Sequence, residues 1–140
     1  MVFVMKLNAS PFEKLKTGRK TVELRLYDQK RRTLNIDDYI IFTNLSNTDE
    51  RIAVIVKALY RFGSFADLFS EISPAVCGND DGTSPEEAAL GMRQYYSEEL
   101  EKLYGVLGIR IEQVDLDEAV NEQKRIEEAL FERFFPDGMK

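Results

Sequence analysis

The chain has 140 residues, of which 44% are hydrophobic and 31% are charged, and its formal net charge is −6. A domain of this size buries about two-thirds of its unfolded surface, so it needs no disulfide or metal to hold its core. Cys77 is the one cysteine and histidine is absent, which excludes a disulfide framework, a cysteine-cluster zinc site, a His-ligated metal and a Ser-His-Asp triad. No glycine motif for a dinucleotide or a nucleoside triphosphate is present.

The charge is distributed unevenly along the chain. Residues 1–36 contain nine Lys or Arg and three Asp or Glu, a net charge of +6, whereas residues 37–140 have a net charge of −12. This asymmetry predicts a basic face for an anionic ligand on an acidic body, unless the two sets of charges pair with each other. Met1–Met5 is apolar but too short for a signal peptide or a membrane span, so we expect a cytoplasmic protein with no membrane partner.

The first half of the chain predicts four strands and one helix. Val2–Leu7 is typical of a strand, and Ser10-Pro11 predicts the start of a short helix that ends near Gly18. Thr21–Tyr27 is the clearest strand, since Val22, Leu24 and Leu26 share one face, while Thr21, Glu23 and Arg25 share the other. The strands Asp38–Asn44 and Arg51–Tyr60, joined by a polar turn over Ser46–Glu50, predict an antiparallel hairpin.

The second half alternates helices with one strand. Gly63-Ser64 predicts a helix start, Ser73–Thr83 a loop, and Ser84-Pro85-Glu86-Glu87 a capping box for a helix toward Gly105 that could restart at Ser97. Val106–Val114 predicts a strand, and a final helix from about Asp115 to Phe135 has an apolar stripe of Ala119, Ile126, Leu130 and Phe134. This order predicts an α+β fold with a mostly antiparallel, barrel-like sheet.

The segment Gly18–Arg25 contains the residues most suited to chemistry. Thr21, Glu23 and Arg25 are spaced by about 6.6–7 Å along one strand face. A carboxylate flanked by cations stays ionised and can accept hydrogen bonds from a base or a sugar, while the cations bind a phosphate. A second interpretation is that Lys20 is an activated amine, usable as a base or nucleophile, and that Glu23 orients it. A third is that Glu23 and Arg25 simply lie on the solvated face of an antiparallel strand.

This run resembles the G-x-K-x-x-E-x-R motif of ASCH domains, the ASC-1 homology branch of the PUA-like superfamily. The resemblance extends over about residues 2–112 and includes the upstream helix, Asp38–Asn44 and the segment Tyr95–Ile109. It implies a small, mostly antiparallel β-barrel flanked by helices, with a cleft beside the barrel lined by Lys20, Glu23 and Arg25 and shaped by Gly18. It also implies binding of RNA or modified nucleosides, which some members hydrolyse.

Two positions depart from patterns in this family. Asp37 stands where many members have glycine in the turn before the third strand. The branch of amidohydrolases that deacetylates N4-acetylcytidine has the run G-R-K-T-x-T-x-R, and Glu23 replaces the second threonine of that run. That branch also uses a later acid, for which Glu71 is the candidate.

Other residues are weaker candidates for ligand contacts. The basic run Lys30-Arg31-Arg32 suits phosphate if it is not merely a solvated loop, and Tyr95, Tyr96 and Tyr104 could stack on a base if they do not pack in the core. Cys77 has no histidine to activate it. The predicted ligand-binding set is Gly18, Arg19, Lys20, Thr21, Glu23, Arg25, Arg31, Arg32, Tyr96 and Tyr104, with no metal site and no cofactor.

The sequence therefore predicts an ASCH or PUA-like domain over residues 1–114 and a C-terminal helical extension, residues 115–140, packed on it. The predicted function is binding of RNA or a nucleotide-like ligand in the cleft. One alternative is a nucleoside amidohydrolase or ribonuclease with Lys20 and Glu23 as the catalytic pair. The other is a non-catalytic module that docks a partner protein through the C-terminal helix, and a homodimer is compatible with it.

Overall fold

The computed structural model describes residues 1–137, which form an α+β fold of five strands and five helices. The strands are β1 (Val2–Leu7), β2 (Val22–Leu26), β3 (Tyr39–Asn44), β4 (Asn47–Phe62) and β5 (Val106–Val114). The helices are α1 (Ala9–Lys16), α2 (Phe65–Glu71), α3 (Pro85–Gly91), α4 (Glu98–Tyr104) and α5 (Leu116–Phe134). Short 3₁₀ turns occupy Arg31–Thr33, Pro74–Cys77 and Met92–Gln94.

The five strands form one curled sheet in the order β1-β3-β4-β5-β2. Strand β1 pairs with β3 in parallel, and the other pairs are antiparallel, as the element order predicted. The long strand β4 pairs with β3 along its first part and with β5 over most of its length, with a register shift between Val56 and Ala58. An irregularity of this kind bends a strand, which helps the sheet to curl.

The apolar side chains form three clusters around this sheet. The largest contains residues of β1, β3, β4, β5 and α1, with Phe12, Ile40 and Phe42 fully buried. A second joins β2 to α2 and α3, and a third lies under α5. One face of β2 is therefore covered by helices, because Val22, Leu24 and Leu26 pack with residues of α2 and α3.

The structure moves several predicted boundaries, and two of these corrections have a local reason. Helix α1 begins at Ala9 after the cap residue Asn8, so Ser10 lies inside the helix. Pro11 is tolerated there because the first-turn N–H groups have no partner within a helix. Strand β4 begins at Asn47 rather than at Arg51. The Asn44 side chain accepts a hydrogen bond from the Ser46 N–H at 2.9 Å, which makes the turn much shorter than predicted.

The helix predicted to run from the capping box toward Gly105 is two helices. Ser84 Oγ accepts a hydrogen bond from the Glu87 N–H at 3.1 Å, which confirms Ser84 as the cap of α3, while the Glu87 carboxylate accepts from the Ser84 hydroxyl at 3.1 Å rather than from its backbone N–H. Ser97 Oγ accepts one from the Leu100 N–H at 3.3 Å and starts α4. Between them the chain makes a 3₁₀ turn, so the restart at Ser97 is confirmed.

The last helix packs on the sheet through its first turns only. Ala119 is buried against Ile41 and Ala53, whereas Leu130 and Phe134 are exposed. The extension predicted to pack on the domain also includes residues 138–140, which lie outside the described residues. Within residues 1–137, no helix is both long and apolar enough to cross a membrane.

Candidate functional site

The corner between α1 and β2 places the motif residues. Gly18 has a φ of +83°, in the left-handed region that favours glycine, and the chain turns there from the helix toward the strand. Main-chain hydrogen bonds then fix the next two residues: Lys20 N–H donates to the Lys14 carbonyl at 2.9 Å and Thr21 N–H to the Val76 carbonyl at 2.8 Å. The start of β2 is thus held between α1 and the loop that follows α2.

Lys20, Glu23 and Arg25 form an ionic triad in which Lys20 and Glu23 are buried and Arg25 is partly buried. The Glu23 carboxylate is 2% exposed, with its Oε1 at 2.8 Å from Lys20 Nζ and its Oε2 at 2.9 Å from Arg25 Nη2. Arg25 Nε also donates to Oε2 at 3.2 Å, and the Leu24 N–H donates to Oε1 at 3.0 Å. The interpretation of Glu23 as part of a solvated strand face is therefore wrong, because its side chain is buried and held by Lys20, Arg25 and the main chain of β2.

The four contacts occupy the acceptor positions of Glu23. Oε2 accepts two hydrogen bonds from Arg25, while Oε1 accepts one from the Leu24 N–H and forms the ion pair with Lys20, so the four contacts match the roughly four lone-pair sites of a carboxylate. The donors are less fully used: among residues 1–137, Lys20 Nζ contacts Glu23 alone, and Arg25 Nη1 has no partner. The triad therefore offers donors rather than acceptors to a ligand.

The Glu23 carboxyl is ionised despite its burial. Burial by itself raises the pKa of Glu23, but the charges and hydrogen bonds of Lys20 and Arg25 outweigh this effect and hold its pKa below the usual range. For Arg25, burial acts to lower the pKa, and the Glu23 carboxylate raises it above the ordinary value. The triad therefore has a net charge of +1 beside a cleft.

A cleft of about 410 Å³ opens over the triad, between the two edge strands of the curled sheet and the loops after α2 and α3. Four cationic side chains line it, Lys6, Lys14, Lys20 and Arg25, against the two carboxylates of Glu23 and Asp80. The cleft therefore has a local net charge of +2 in a chain with a net charge of −6. This surplus suits an anionic ligand.

One wall of the cleft is the loop around Gly78. Lys14 Nζ donates to the Gly78 carbonyl at 2.7 Å, which ties the loop to α1. Gly78 has a φ of +98°, and a Cβ added there would lie 3.3 Å from Cδ of Lys20, so the loop packs directly on the lysine stem. In the same wall, burial raises the pKa of the Cys77 thiol to about 12, although Lys20 nearby acts to lower it. Cys77 is thus a thiol at neutral pH.

Two tyrosines also line the cleft. Tyr95 and Tyr96 both line the cleft, and the ring of Tyr96 stacks on Phe65 with centroids 5.9 Å apart. Burial raises the pKa of the Tyr96 hydroxyl, so it remains a hydrogen-bond donor at neutral pH. Arg93 braces this part of the cleft, because its guanidinium donates to the Tyr96 carbonyl at 3.4 Å and pairs with the buried carboxylate of Glu101. An aromatic wall beside cationic donors can hold a base next to its phosphate.

The structure brings four of the ten predicted ligand residues to this cleft: Lys20, Glu23, Arg25 and Tyr96. Gly18, Arg19 and Thr21 are exposed at the corner and do not line it. Arg31, Arg32 and Tyr104 lie beyond the far end of β2, where Arg31 pairs with Asp28 at 2.9 Å. Glu71 is exposed at the end of α2 and does not line the cleft.

Sequence reasoning missed Lys6, Lys14 and the wall formed by residues 77–80. The basic surplus of residues 1–36 included both lysines but gave no reason to choose them. Their approach to the triad depends on the curl of the sheet and on the loop after α2. Residues 1–137 contain no group of three or more His, Cys, Asp or Glu side chains arranged to hold a metal ion.

Known proteins resemble this chain over most of its length. The ASCH domain family model matches residues 5–115. The hypothetical protein PH0355, known from a crystal structure, is 35% identical with a TM-score of 0.70, and the match covers 81% of this chain and 100% of that one. Protein PF0455 from Pyrococcus furiosus, known from a solution NMR structure, is 34% identical with a TM-score of 0.61, covering 81% and 98%.

A third solved structure shows the same fold at low identity. The crystal structure of ASCH from Zymomonas mobilis is 15% identical with a TM-score of 0.57, and the match covers 86% of this chain and 77% of that one. No curated protein matches the sequence. The curled sheet with flanking helices and the family model confirm the fold that the motif predicted. The chain therefore belongs to the ASCH domain family.

Proposed function

We propose that this protein binds a nucleotide-like ligand, free or as one nucleotide of an RNA, in the cleft over the triad. The observation that supports this most is the Lys20–Glu23–Arg25 triad, whose unused donors face a cleft with a cationic surplus. Small-molecule sites in proteins range over about 300–1,000 Å³, so a cleft of about 410 Å³ suits one nucleoside-sized group. Membership of a family whose members are generally RNA-binding-like agrees with this assignment.

Each member of the triad has a distinct role in this proposal. The Lys20 ammonium and the Arg25 Nη1 group bind a phosphate or the polar edge of a base, since both retain N–H donors. Glu23 positions these two cations and does not itself accept from the ligand, because its acceptor sites are occupied within the protein. Tyr96 and Tyr95 supply the apolar wall against which a base packs.

The test is RNA and nucleotide affinity of Lys20→Met, which keeps the aliphatic stem under Gly78 and removes the ammonium. A charge-assisted hydrogen bond is worth about 1.5–3 kcal/mol, so we expect affinity to fall by about 10- to 100-fold. Lys124→Ala removes one positive charge from the exposed face of α5 and serves as the control. Circular dichroism and urea unfolding establish that each variant is folded. Unchanged affinity of a folded Lys20→Met would contradict the proposal.

A hydrolase acting on a modified nucleoside or on RNA is the second candidate, supported by the 2.8 Å contact between Lys20 and Glu23 beside the cleft. In that case Lys20 is the base or nucleophile and Glu23 its orienting partner.

Turnover assays separate the two candidates. Wild type and Glu23→Gln would be incubated with N4-acylated cytidines and with short RNAs, and products would be followed by chromatography. Binding without product supports the first candidate. Product from wild type and none from folded Glu23→Gln supports the second.

A further inference from the structure

A second group of cations lies beyond the far end of β2, around Tyr27. The Arg61 guanidinium carbon is 4.0 Å from the centroid of the Tyr27 ring, and that of Arg32 is 5.1 Å from it. Arg32 Nε also donates to the Tyr27 carbonyl at 3.2 Å. We call Tyr27, Lys30, Arg32 and Arg61 the Tyr27 cluster. Its cations come from the loop after β2 and from β4, so the tertiary fold assembles it.

The charges of the Tyr27 cluster are not neutralised within the described chain. Asp28 is the neighbouring acid, and its carboxylate pairs with Arg31 at 2.9 Å. Lys30, Arg32 and Arg61 are exposed, and none of them makes an ion pair with a carboxylate of residues 1–137. Cation–π contacts, worth about 0.5–1 kcal/mol each at exposed sites, hold two like charges over one ring. An anion that contacts both guanidinium groups would offset that repulsion.

The Tyr27 cluster lies next to the cleft along the same strand face. Alternation on β2 puts Glu23, Arg25 and Tyr27 on one side, and each two-residue step covers about 6.6–7 Å. The Tyr27 N–H donates to the Gly105 carbonyl at 3.0 Å, so the strand direction continues to this point. Beside it, Asp28, Gln29, Lys30 and Tyr104 line a surface depression. Cationic donors therefore follow one another from Lys20 through Arg25 to Arg32 and Arg61.

We propose that the Tyr27 cluster binds backbone phosphates of a single-stranded RNA whose neighbouring nucleotide occupies the cleft. This inference rests on the proposed function and extends it, since it makes the ligand a polymer rather than a free nucleotide. Guanidinium groups match phosphate geometry, and Tyr104 presents an aromatic ring to a base at the same place. The acidic remainder of the chain restricts binding to this path, which favours a short single strand over a long duplex.

The test compares a mononucleotide with a single-stranded RNA of about eight nucleotides, within the range that single-strand sites cover. Calorimetry and fluorescence anisotropy between 50 mM and 200 mM salt would measure the affinity of each protein for both ligands. The proteins are wild type, Arg32→Ala/Arg61→Ala and the control Lys124→Ala/Arg133→Ala. Both double variants remove two positive charges from exposed positions. Lys20→Met would be measured in parallel to report on the cleft.

We expect the RNA to bind wild type at least about tenfold more tightly than the mononucleotide. Arg32→Ala/Arg61→Ala should bind the RNA no more tightly than the mononucleotide. For the RNA, its slope of log affinity against log salt should be smaller in magnitude by about 1.4, since each single-strand phosphate contact contributes about 0.7. Its mononucleotide affinity should match that of wild type, and the control should match wild type for both ligands.

The two proposals fail in different ways. RNA affinity unchanged in Arg32→Ala/Arg61→Ala overturns the inference, and so does equal binding of a polyglutamate of matched charge, which would indicate an acidic-protein partner. If Lys20→Met loses mononucleotide binding, the proposed function of the cleft is supported, whether or not the Tyr27 cluster binds RNA. No RNA binding and no mononucleotide binding by wild type overturns both.

Discussion

Asp37 has a backbone φ of +74°, in the left-handed region where a Cβ crowds the neighbouring carbonyl oxygen. Its N–H donates to the Val56 carbonyl at 2.9 Å, so the turn before β3 is fixed to β4. Glycine is the residue that adopts this φ without strain, and aspartate is among the few others that tolerate it. The turn before β3 thus has a backbone geometry that glycine adopts more easily than aspartate.

Asp37→Gly should therefore stabilise the fold. Relief of the left-handed strain is worth about 1–2 kcal/mol, and the greater freedom of glycine in the unfolded chain offsets about 0.5–1 kcal/mol of it. We expect the free energy of unfolding to rise by about 0.5 kcal/mol, measured by urea denaturation. Asp37→Ala removes the carboxylate but keeps the Cβ, so it should give no gain. A gain in Asp37→Ala equal to that in Asp37→Gly would contradict the backbone explanation.

Glu23 makes the stability of the fold sensitive to acid. Its pKa in the folded state lies below the ordinary value of 4.5, so the ionised carboxylate contributes its full stabilisation above pH 4.5. This contribution is lost as the pH falls below 4.5 and through the lowered folded-state pKa. Protonation leaves the buried Lys20 and the partly buried Arg25 without their counter-charge.

Glu23→Gln should lower the free energy of unfolding at pH 7 by about 3 kcal/mol, because it breaks a buried ion pair by removing one partner. It should also make the decline in stability between pH 5 and 3 shallower than in wild type. Urea unfolding at a series of pH values measures both effects. Glu71→Gln, at an exposed position on α2, should keep the wild-type slope. An equally steep decline in Glu23→Gln would show that other carboxyls control acid unfolding.

Among the elements, α5 differs most from its sequence pattern. Its first turns bury Ala119 against β3 and β4, with Leu116 and Val120 partly buried around it. Its last turns expose Phe131 at 41% and Phe134 at 69%. A periodic apolar stripe thus identified the helix correctly but did not show how far along it the packing extends.

Two truncations test how α5 contributes. Removing residues 116–140 exposes the apolar surface around Ala119 and should lower the free energy of unfolding by several kcal/mol. Removing residues 128–140 should change it by less than about 0.5 kcal/mol, since most side chains lost there are exposed. Urea unfolding measures stability and size-exclusion chromatography measures oligomeric state. Dimer dissociation in the shorter truncation would instead favour the protein-docking alternative for this helix.

At the scale of the whole molecule, one side chain bridges the two edges of the sheet. Strands β1 and β2 are the ends of the strand order and are not paired with each other. Arg25 Nη2 donates to the Lys6 carbonyl on β1 at 2.9 Å while it also contacts Glu23. The residue that contributes charge to the cleft therefore also joins the edge strands on either side of it.

Arg25→Lys keeps the charge but cannot make these contacts together, because a single ammonium lacks the planar set of donors. We expect the free energy of unfolding to fall by about 2 kcal/mol and the β1 amides to exchange faster with deuterium. Arg51→Lys, on the exposed surface of β4, should stay within about 0.5 kcal/mol of wild type. A free energy of unfolding of Arg25→Lys equal to that of wild type would show that the contact between Arg25 and the Lys6 carbonyl does not stabilise the fold.

Local patterns were sufficient for much of this fold. Alternation identified β2, and the capping serines at 64, 84 and 97 identified three helix starts, because these signals depend on neighbours within a few residues. Glycine at 18 identified the corner for the same reason. The motif also selected Lys20, Glu23 and Arg25, which the structure brings into contact.

The sequence by itself determined the family and the order of the elements. It also determined the available chemistry, which is limited to lysine, arginine and a carboxylate because histidine is absent. Tertiary structure alone decided that Glu23 is buried with its acceptors occupied, that Lys6 and Lys14 reach the same cleft, and that Arg61 joins Arg32 over Tyr27. The physical reason is that burial and charge pairing depend on which segments the curled sheet and its loops bring together. Periodicity reports the two faces of a strand, but only the neighbouring elements determine which face meets water.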